Sequence, residues 1–192
     1  MMGEKAKLKE PAMRPGLTYK FKVLVLGNST QEKDHLCRIG DHFFREEYQE
    51  TIGVAFRRQE LASSWGEQVV LQLWVIADDP IFENIFEYFS KGSHGAIVCV
   101  DVARRQSLKN AAYWIQRVRT FRPNIPILLL GCWRSAQKHL KWIRERKVQS
   151  LGMKYGNLPF CIADVTTTKD ISPEILGGFS ELMIEQVPDW LI

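Results

Sequence analysis

The octapeptide Gly27-Asn28-Ser29-Thr30-Gln31-Glu32-Lys33-Asp34 follows directly on the apolar run Phe21-Lys22-Val23-Leu24-Val25-Leu26. A strand feeding a glycine, with a lysine six positions on, is the arrangement of a phosphate-wrapping loop, G-x-x-x-x-G-K-[S/T]. In that loop backbone N–H groups line the phosphates, the lysine neutralises them and the hydroxyl holds Mg²⁺. Gly27 and Lys33 fit; Glu32 stands in the place of the second glycine and Asp34 in that of the hydroxyl. A side chain at position 32 obstructs close backbone approach to phosphate. A carboxylate ~5 Å from a phosphate charge costs about 3 kcal/mol at an effective dielectric of about 20. Asp34 is also a good hard-cation ligand. Two chemistries therefore stay open: a loop without ligand, in which Lys33 pairs internally or faces solvent, and an Mg²⁺-assisted phosphate site.

The charged residues are unevenly placed. Between Asp101 and Asp164 stand thirteen Lys and Arg against the single acid Glu145, a local +12 in a chain of net charge +4, leaving −8 elsewhere. Such a stretch is either a solvated basic face or a docking surface that steers an acidic partner. Cys37, Cys99, Cys132 and Cys161 are scattered, as in a reduced chain with structural thiols, and suggest no disulfide frame or metal site. No apolar run approaches the ~20 residues of a membrane span. The charged N-terminal residues are unlike a secretory signal, and Val187-Pro188-Asp189-Trp190-Leu191-Ile192 offers no prenylatable cysteine. These features predict a cytoplasmic chain without a lipid anchor or transmembrane segment.

The 192 residues suit one domain with a substantial core. Residues 1–19 read as a flexible basic tail and 20–192 as the domain. Strands are expected at about 21–27, 51–61, 69–76, 95–101, 126–131 and 158–163, from alternating or continuous apolar runs. Helices are expected at 32–44, 80–91, 106–121, 136–151 and 172–187; Leu108, Ala112, Ile115 and Val118 recur at helical spacing. Ser63-Ser64-Trp65-Gly66-Glu67 reads as the turn of an antiparallel hairpin. Alternation of strand and helix predicts an α/β architecture of three layers: a mostly parallel six-stranded sheet between helices, with one antiparallel edge strand.

In this order the pieces resemble the small GTPases of the Ras superfamily, most closely the Rab family, over about residues 19–187. Thr51-Ile52-Gly53-Val54-Ala55-Phe56 is similar to the Rab first-switch signature T-I-G-V-D-F, and Leu71-Gln72-Leu73-Trp74 to the strand entering the second switch. Lys91-Gly92-Ser93-His94-Gly95-Ala96-Ile97-Val98 with Asp101-Val102 resembles the fourth-strand region. The resemblance implies the P-loop fold, but the chemistry residues depart from it. Where the family has D-T-A-G-Q after the tryptophan, this chain has Val75-Ile76-Ala77-Asp78-Asp79. That replaces the carboxylate supporting Mg²⁺, the glycine at the γ-phosphate and the water-positioning glutamine. Where the family has N-K-x-D, Cys132-Trp133-Arg134-Ser135 follows Gly131; the S-A-K element is Asp164-Val165-Thr166. The cofactor-binding residues carried over are Gly27, Lys33 and Thr51, with Asp34 and Thr51 as Mg²⁺ ligands only if the metal is retained. Trp133 either fills the vacated base pocket or packs in the core.

Phe56, Trp74 and Phe89 align with the aromatic triad that Rab proteins show to effectors, Phe89 replacing the family's Tyr. Large rigid aromatics suit a binding hot spot; the competing reading has Phe56 and Trp74 packed under a helix. Ile81 and Phe82 add apolar surface on the second-switch helix. Arg117, Arg119, Lys138, Lys141, Arg144 and Lys147 form the candidate basic face on the two helices that the fold makes neighbours. Three functions follow. The first is a Rab-like pseudo-GTPase: a nucleotide-independent protein-binding subunit of a larger assembly, with no catalytic residue and no cofactor, in trafficking, cytoskeletal or ciliary work. The second is a divergent GTP/GDP switch using Lys33, Asp34 and Thr51 with Mg²⁺. The third is an adaptor docking an acidic protein, polymer or anionic membrane through the basic face. Nucleic acid is the least favoured partner.

Overall fold

The computed structural model describes residues 17–27, 53–63, 66–77, 85–133, 141–164 and 173–188. The elements are β1 (Thr18–Leu26), β2 (Val54–Ala62), β3 (Gln68–Ile76), α1 (Phe86–Ser90), β4 (Gly95–Asp101), α2 (Arg105–Phe121), β5 (Ile127–Trp133), α3 (Lys141–Lys154), β6 (Phe160–Asp164) and α4 (Pro173–Ile184). The strands form one six-stranded sheet in the order β2-β3-β1-β4-β5-β6. All neighbours are parallel except the β2–β3 hairpin, which makes β2 the antiparallel edge. This is the α/β architecture expected from the sequence.

Two apolar layers hold the sheet. On one face Phe21, Val23 and Val25 of β1 and Leu71, Leu73 and Val75 of β3 pack with Leu176, Phe179 and Met183 of α4. On the other, Leu24, Leu26, Ala96, Val98 and Leu129 pack with Ala111, Trp114, Ile115 and Val118 of α2 and Val148 of α3. Burial on both faces is why β4 and β5 are continuous apolar runs. Gly131 lets helix and strand meet there, since an added Cβ would lie 2.4 Å from Ile162 Cδ1 and 3.0 Å from Val148 Cγ2.

The boundaries differ from expectation where pairing extends a strand. β1 starts at Thr18, because Thr18 and Tyr19 pair with Gln68 and Val69 and Tyr19 stacks on Phe21 at 5.8 Å. The last two residues assigned to the tail therefore belong to the sheet. β5 runs to Trp133 rather than stopping at Gly131, because Cys132 and Trp133 pair with Ala163 and Asp164. In the β2–β3 turn, Ser63 Oγ donates to Glu67 Oε2 at 2.8 Å and accepts the Glu67 N–H at 3.2 Å, which satisfies both buried side chains. The expected helix at 32–44 lies outside the described residues, and of the one expected at 80–91 the described part is α1. Cys99, Cys132 and Cys161 are free thiols; burial, with Cys132 beside it, pushes the Cys161 thiol up to about 12, so it stays protonated near neutrality.

Two predictions follow from the ends of the central strands. Gly27, just after β1, has φ +144°, and a Cβ there would lie 2.8 Å from the Cys99 carbonyl oxygen. Gly27→Ala is expected to lower unfolding free energy by about 1–3 kcal/mol in denaturant titration; an unchanged midpoint would contradict this steric account. His94 ties β1 to β4: its Nδ1 accepts the Lys22 backbone N–H at 3.0 Å, and its backbone N–H donates to the Lys22 carbonyl at 2.9 Å. Partial burial, then the Arg122 guanidinium, holds the imidazole below its ordinary 6.5. The unfolded chain then binds the proton first, so stability present above the ordinary value is lost as pH falls through the folded value. His94→Asn keeps an acceptor and removes the titration. Its melting temperature should depend less on pH below about 6.5 than that of the natural chain, and equal slopes would exclude His94.

Candidate functional site

The parallel strands β1, β3, β4 and β5 end together at one edge of the sheet, where Gly27, Ala77, Asp101 and Trp133 stand. Open α/β sheets place ligands outside the carboxyl ends of their strands. Gly27 occupies that edge as expected from the loop motif, with a packing reason of its own in the contact with Cys99. Lys33, Asp34 and Thr51, with Asp78 and Asp79, lie outside the described residues. Val75 is 8% exposed and packs in the α4-side core, so the position that carries a Mg²⁺-supporting carboxylate in the family is an apolar core position here. Ile76 beside it is buried in the opposite layer. Trp133 is 9% exposed and belongs to the α2/α3-side core, the packing alternative raised for it above.

Asp101 organises the neighbouring turn. Its Oδ1 accepts the Ala103 N–H at 2.8 Å, its Oδ2 meets Arg104 Nε at 3.2 Å, and its backbone N–H donates to Ser107 Oγ at 2.8 Å. All three bonds are spent on starting α2. Among the described residues no group of three or more His, Cys, Asp or Glu is placed to hold a metal ion.

The aromatic residues do come together. Phe56 on β2 lies directly opposite Trp74 on β3, and their rings meet edge to face with centroids 4.6 Å apart. Phe89 on α1 approaches Trp74 at 6.3 Å. Helix α1 is pinned by Phe86, which is fully buried against Trp114 at 5.6 Å and Phe121 at 5.9 Å. Because α1 is anchored through Phe86, its next turn holds Phe89 toward the sheet and leaves Tyr88 outward, 69% exposed. Phe56 is 39% exposed, while Trp74 and Phe89 are half-buried. The triad is neither a buried core nor a loose surface. It is a shallow aromatic ledge at the open end of the sheet. Ile81 and Phe82 lie outside the described residues.

Lys22 completes the ledge. Its ammonium sits 3.6 Å from the Trp74 ring centroid and donates to the Lys91 carbonyl at 2.9 Å. Burial, then Arg122, draws its pKa below the usual lysine value. Inside an apolar strand Lys22 reads as an interruption. The period-2 alternation of β1 was the signal for it: Lys20 and Lys22 continue the row of Leu24 and Leu26 beyond the cover of α2.

The basic face is thinner than its charge count. Arg119 is half-buried, and its Nη1 donates to the Pro123 and Ile125 carbonyls at 2.7 Å each, closing the turn between α2 and β5. Burial holds its guanidinium below the ordinary value. Arg117 is half-buried over Phe86 at 5.2 Å, Tyr113 at 5.7 Å and Phe121 at 5.8 Å. Both turn inward to pack α2. Arg105, Lys109, Arg146, Lys147 and Lys154 are exposed. Lys141 and Arg144 lie on α3, with their side chains outside the described part, and Lys138 lies outside it altogether. α2 and α3 are linked by Gln116 Nε2 donating to Tyr155 Oη at 3.3 Å.

Among the described residues no helix is long and apolar enough to cross a membrane. The Ras family model matches residues 22–175, from the middle of β1 into α4. The chain is also similar to the Ras-related protein RIC1 of Oryza sativa subsp. japonica. The two are 34% identical over 121 residues, which cover 62% of this chain and 59% of that protein. The match thus spans less than two thirds of the relative's length. With the family model covering most of the chain, and the sheet order and hairpin edge as described, the chain belongs to the Ras family of small GTPases.

Proposed function

We propose that this chain is a Rab-like pseudo-GTPase, a nucleotide-independent protein-binding subunit of a larger assembly in trafficking, cytoskeletal or ciliary function. The observation that carries the reading is the contrast between the two halves of the family's site. At the phosphate side, Val75 is a core residue and acids stand at positions 32, 34, 78 and 79. On the partner side, Phe56, Trp74 and Phe89 meet as one ledge with a cation on it. Two carboxylates near a phosphate weaken binding by several powers of ten, at about 3 kcal/mol each. The surviving Gly27 does not weigh against this, since its contact with Cys99 requires a glycine without any phosphate.

On this reading the ledge takes a partner's apolar side chains, and Lys22 pairs with an acid among them. A T-shaped aromatic pair contributes about 0.5–1.5 kcal/mol beyond its area, and a partly exposed cation–π contact about 0.5–1 kcal/mol. Those contacts preorder the surface, so a partner loses less entropy in docking.

Nucleotide content separates this reading from a divergent switch. The full chain, purified with Mg²⁺, is expected to release no guanine or adenine nucleotide on denaturation and to leave fluorescent GTP, GDP and ATP unbound at high micromolar concentration. Stoichiometric GDP or GTP would overturn the proposal and make Lys33, Asp34 and Thr51 the residues to mutate. A second prediction concerns the ledge. Full-length protein isolated from its own cells should carry a stoichiometric protein partner. Phe56→Ala or Trp74→Ala should weaken that complex by about thirtyfold or more, as for central hot spots. Lys147→Glu on α3 should leave it intact; a complex indifferent to both aromatic changes would place the partner elsewhere.

A further inference from the structure

At the opposite end of the sheet from Gly27 lies a half-open cavity of about 500 Å³. It sits where β1 begins and just ahead of β4 and β5, beside the C-terminal end of α4. The rise of β1 separates it from Gly27 by about 26 Å. Neither Gly27 nor Phe56, Trp74 and Phe89 of the ledge is among its lining residues.

Its lining has two chemistries. Leu17, Tyr19, Phe21, Ile125, Met183 and Val187 supply apolar walls. Lys20, His94 and Arg122 supply the ionisable groups, and among the described residues no carboxylate lines it. Arg122 is held in place: its Nη2 donates to the Ser93 carbonyl at 2.8 Å, and its backbone N–H to Val118 at 2.7 Å. Its Nε is buried and has no hydrogen-bond partner among the described residues. Of the five guanidinium N–H donors Ser93 takes one, and a carboxylate in the cavity would draw on the terminal nitrogens rather than on the buried Nε. The His94 ring accepts at Nδ1 from Lys22, so its neutral form carries its proton on Nε2, a second donor. A volume of this size is within the range of small-molecule sites, which are mostly apolar with a few placed polar groups.

We propose that this cavity binds a small amphipathic monocarboxylate, its apolar body against Tyr19, Phe21, Ile125 and Met183 and its carboxylate on Arg122. The charge complementarity selects the anion. One fixed guanidinium, with Lys20 exposed at the rim, matches a single anionic head better than a cation or a neutral amphiphile. The site is independent of the nucleotide reading, and its test involves neither nucleotide nor protein partner.

The test uses decanoate, decanol and decylamine, each below its aggregation concentration, added to the full chain. Isothermal titration measures affinity, and ¹H–¹⁵N spectra locate the contact. Decanoate should bind saturably, shift amides of residues 17–21, 93–94, 122–125 and 183–188, and bind at least about tenfold more tightly than decanol or decylamine. Arg122→Gln should weaken decanoate by about tenfold or more, as for a lost charge-assisted hydrogen bond. Should Arg122→Gln fail to fold, Val187→Trp fills the cavity from its wall without touching a cation and should abolish binding. Decanol binding as well as decanoate would overturn the proposal in favour of an apolar groove for a protein segment. So would the absence of saturable binding up to millimolar decanoate, or shifts confined to other residues.

Discussion

The central strand β1 is the constraint on which the rest depends. It bonds to parallel neighbours on both sides, β3 and β4, and its two side-chain rows meet opposite cores. Val23, Leu24, Val25 and Leu26 are fully buried. Fully burying one such side chain contributes about 1.5–3 kcal/mol, so this tetrapeptide alone rivals a small domain's net stability before entropy is counted. Everything functional hangs from its ends. The C-terminal end delivers Gly27 against Cys99. The N-terminal half, past the cover of α2, turns Lys22 onto Trp74 and frames the cavity with Tyr19 and Phe21.

Much of this was legible in the sequence, for identifiable reasons. The β4 and β5 runs are apolar at every position but Asp101 and the glycines Gly95 and Gly131, which two-sided burial explains. The register of Phe56 with Trp74 follows once 54–62 and 68–76 are read as a hairpin, because period-2 alternation then places both on one face. The basic face was harder. A charge count has no direction, and Arg117 and Arg119 carry the same formal charge whether they reach for solvent or, as here, for aromatic rings and loop carbonyls. Lys22 was hidden for the opposite reason: a charged residue inside an apolar run reads as an interruption until the limit of the covering helix is known. The residues with the most chemical interest, Lys33, Asp34 and Thr51, lie outside the described part, so their reading rests on residue type and spacing.

A family fold separates the phosphate chemistry from the architecture more readily than it first seems. The sheet, the two cores and the ledge draw on β1 to β6 and α1 to α4. A bound nucleotide stabilises a folded chain by RT ln(1 + [L]/Kd), several kcal/mol when the site is saturated a thousandfold. On the proposed reading, a chain that relinquishes that ligand compensates at the same end of the sheet: Val75 places an aliphatic group in the core where the family has a carboxylate that needs a cation. The acids around Lys33 extend the same logic: a lysine beside carboxylates of its own chain has a counter-ion without phosphate. On the proposed reading these substitutions form one set, in which each group that once met the nucleotide meets the protein instead. The ledge fits that reading, since Phe86, packed on Trp114 and Phe121, anchors the helix that carries Phe89.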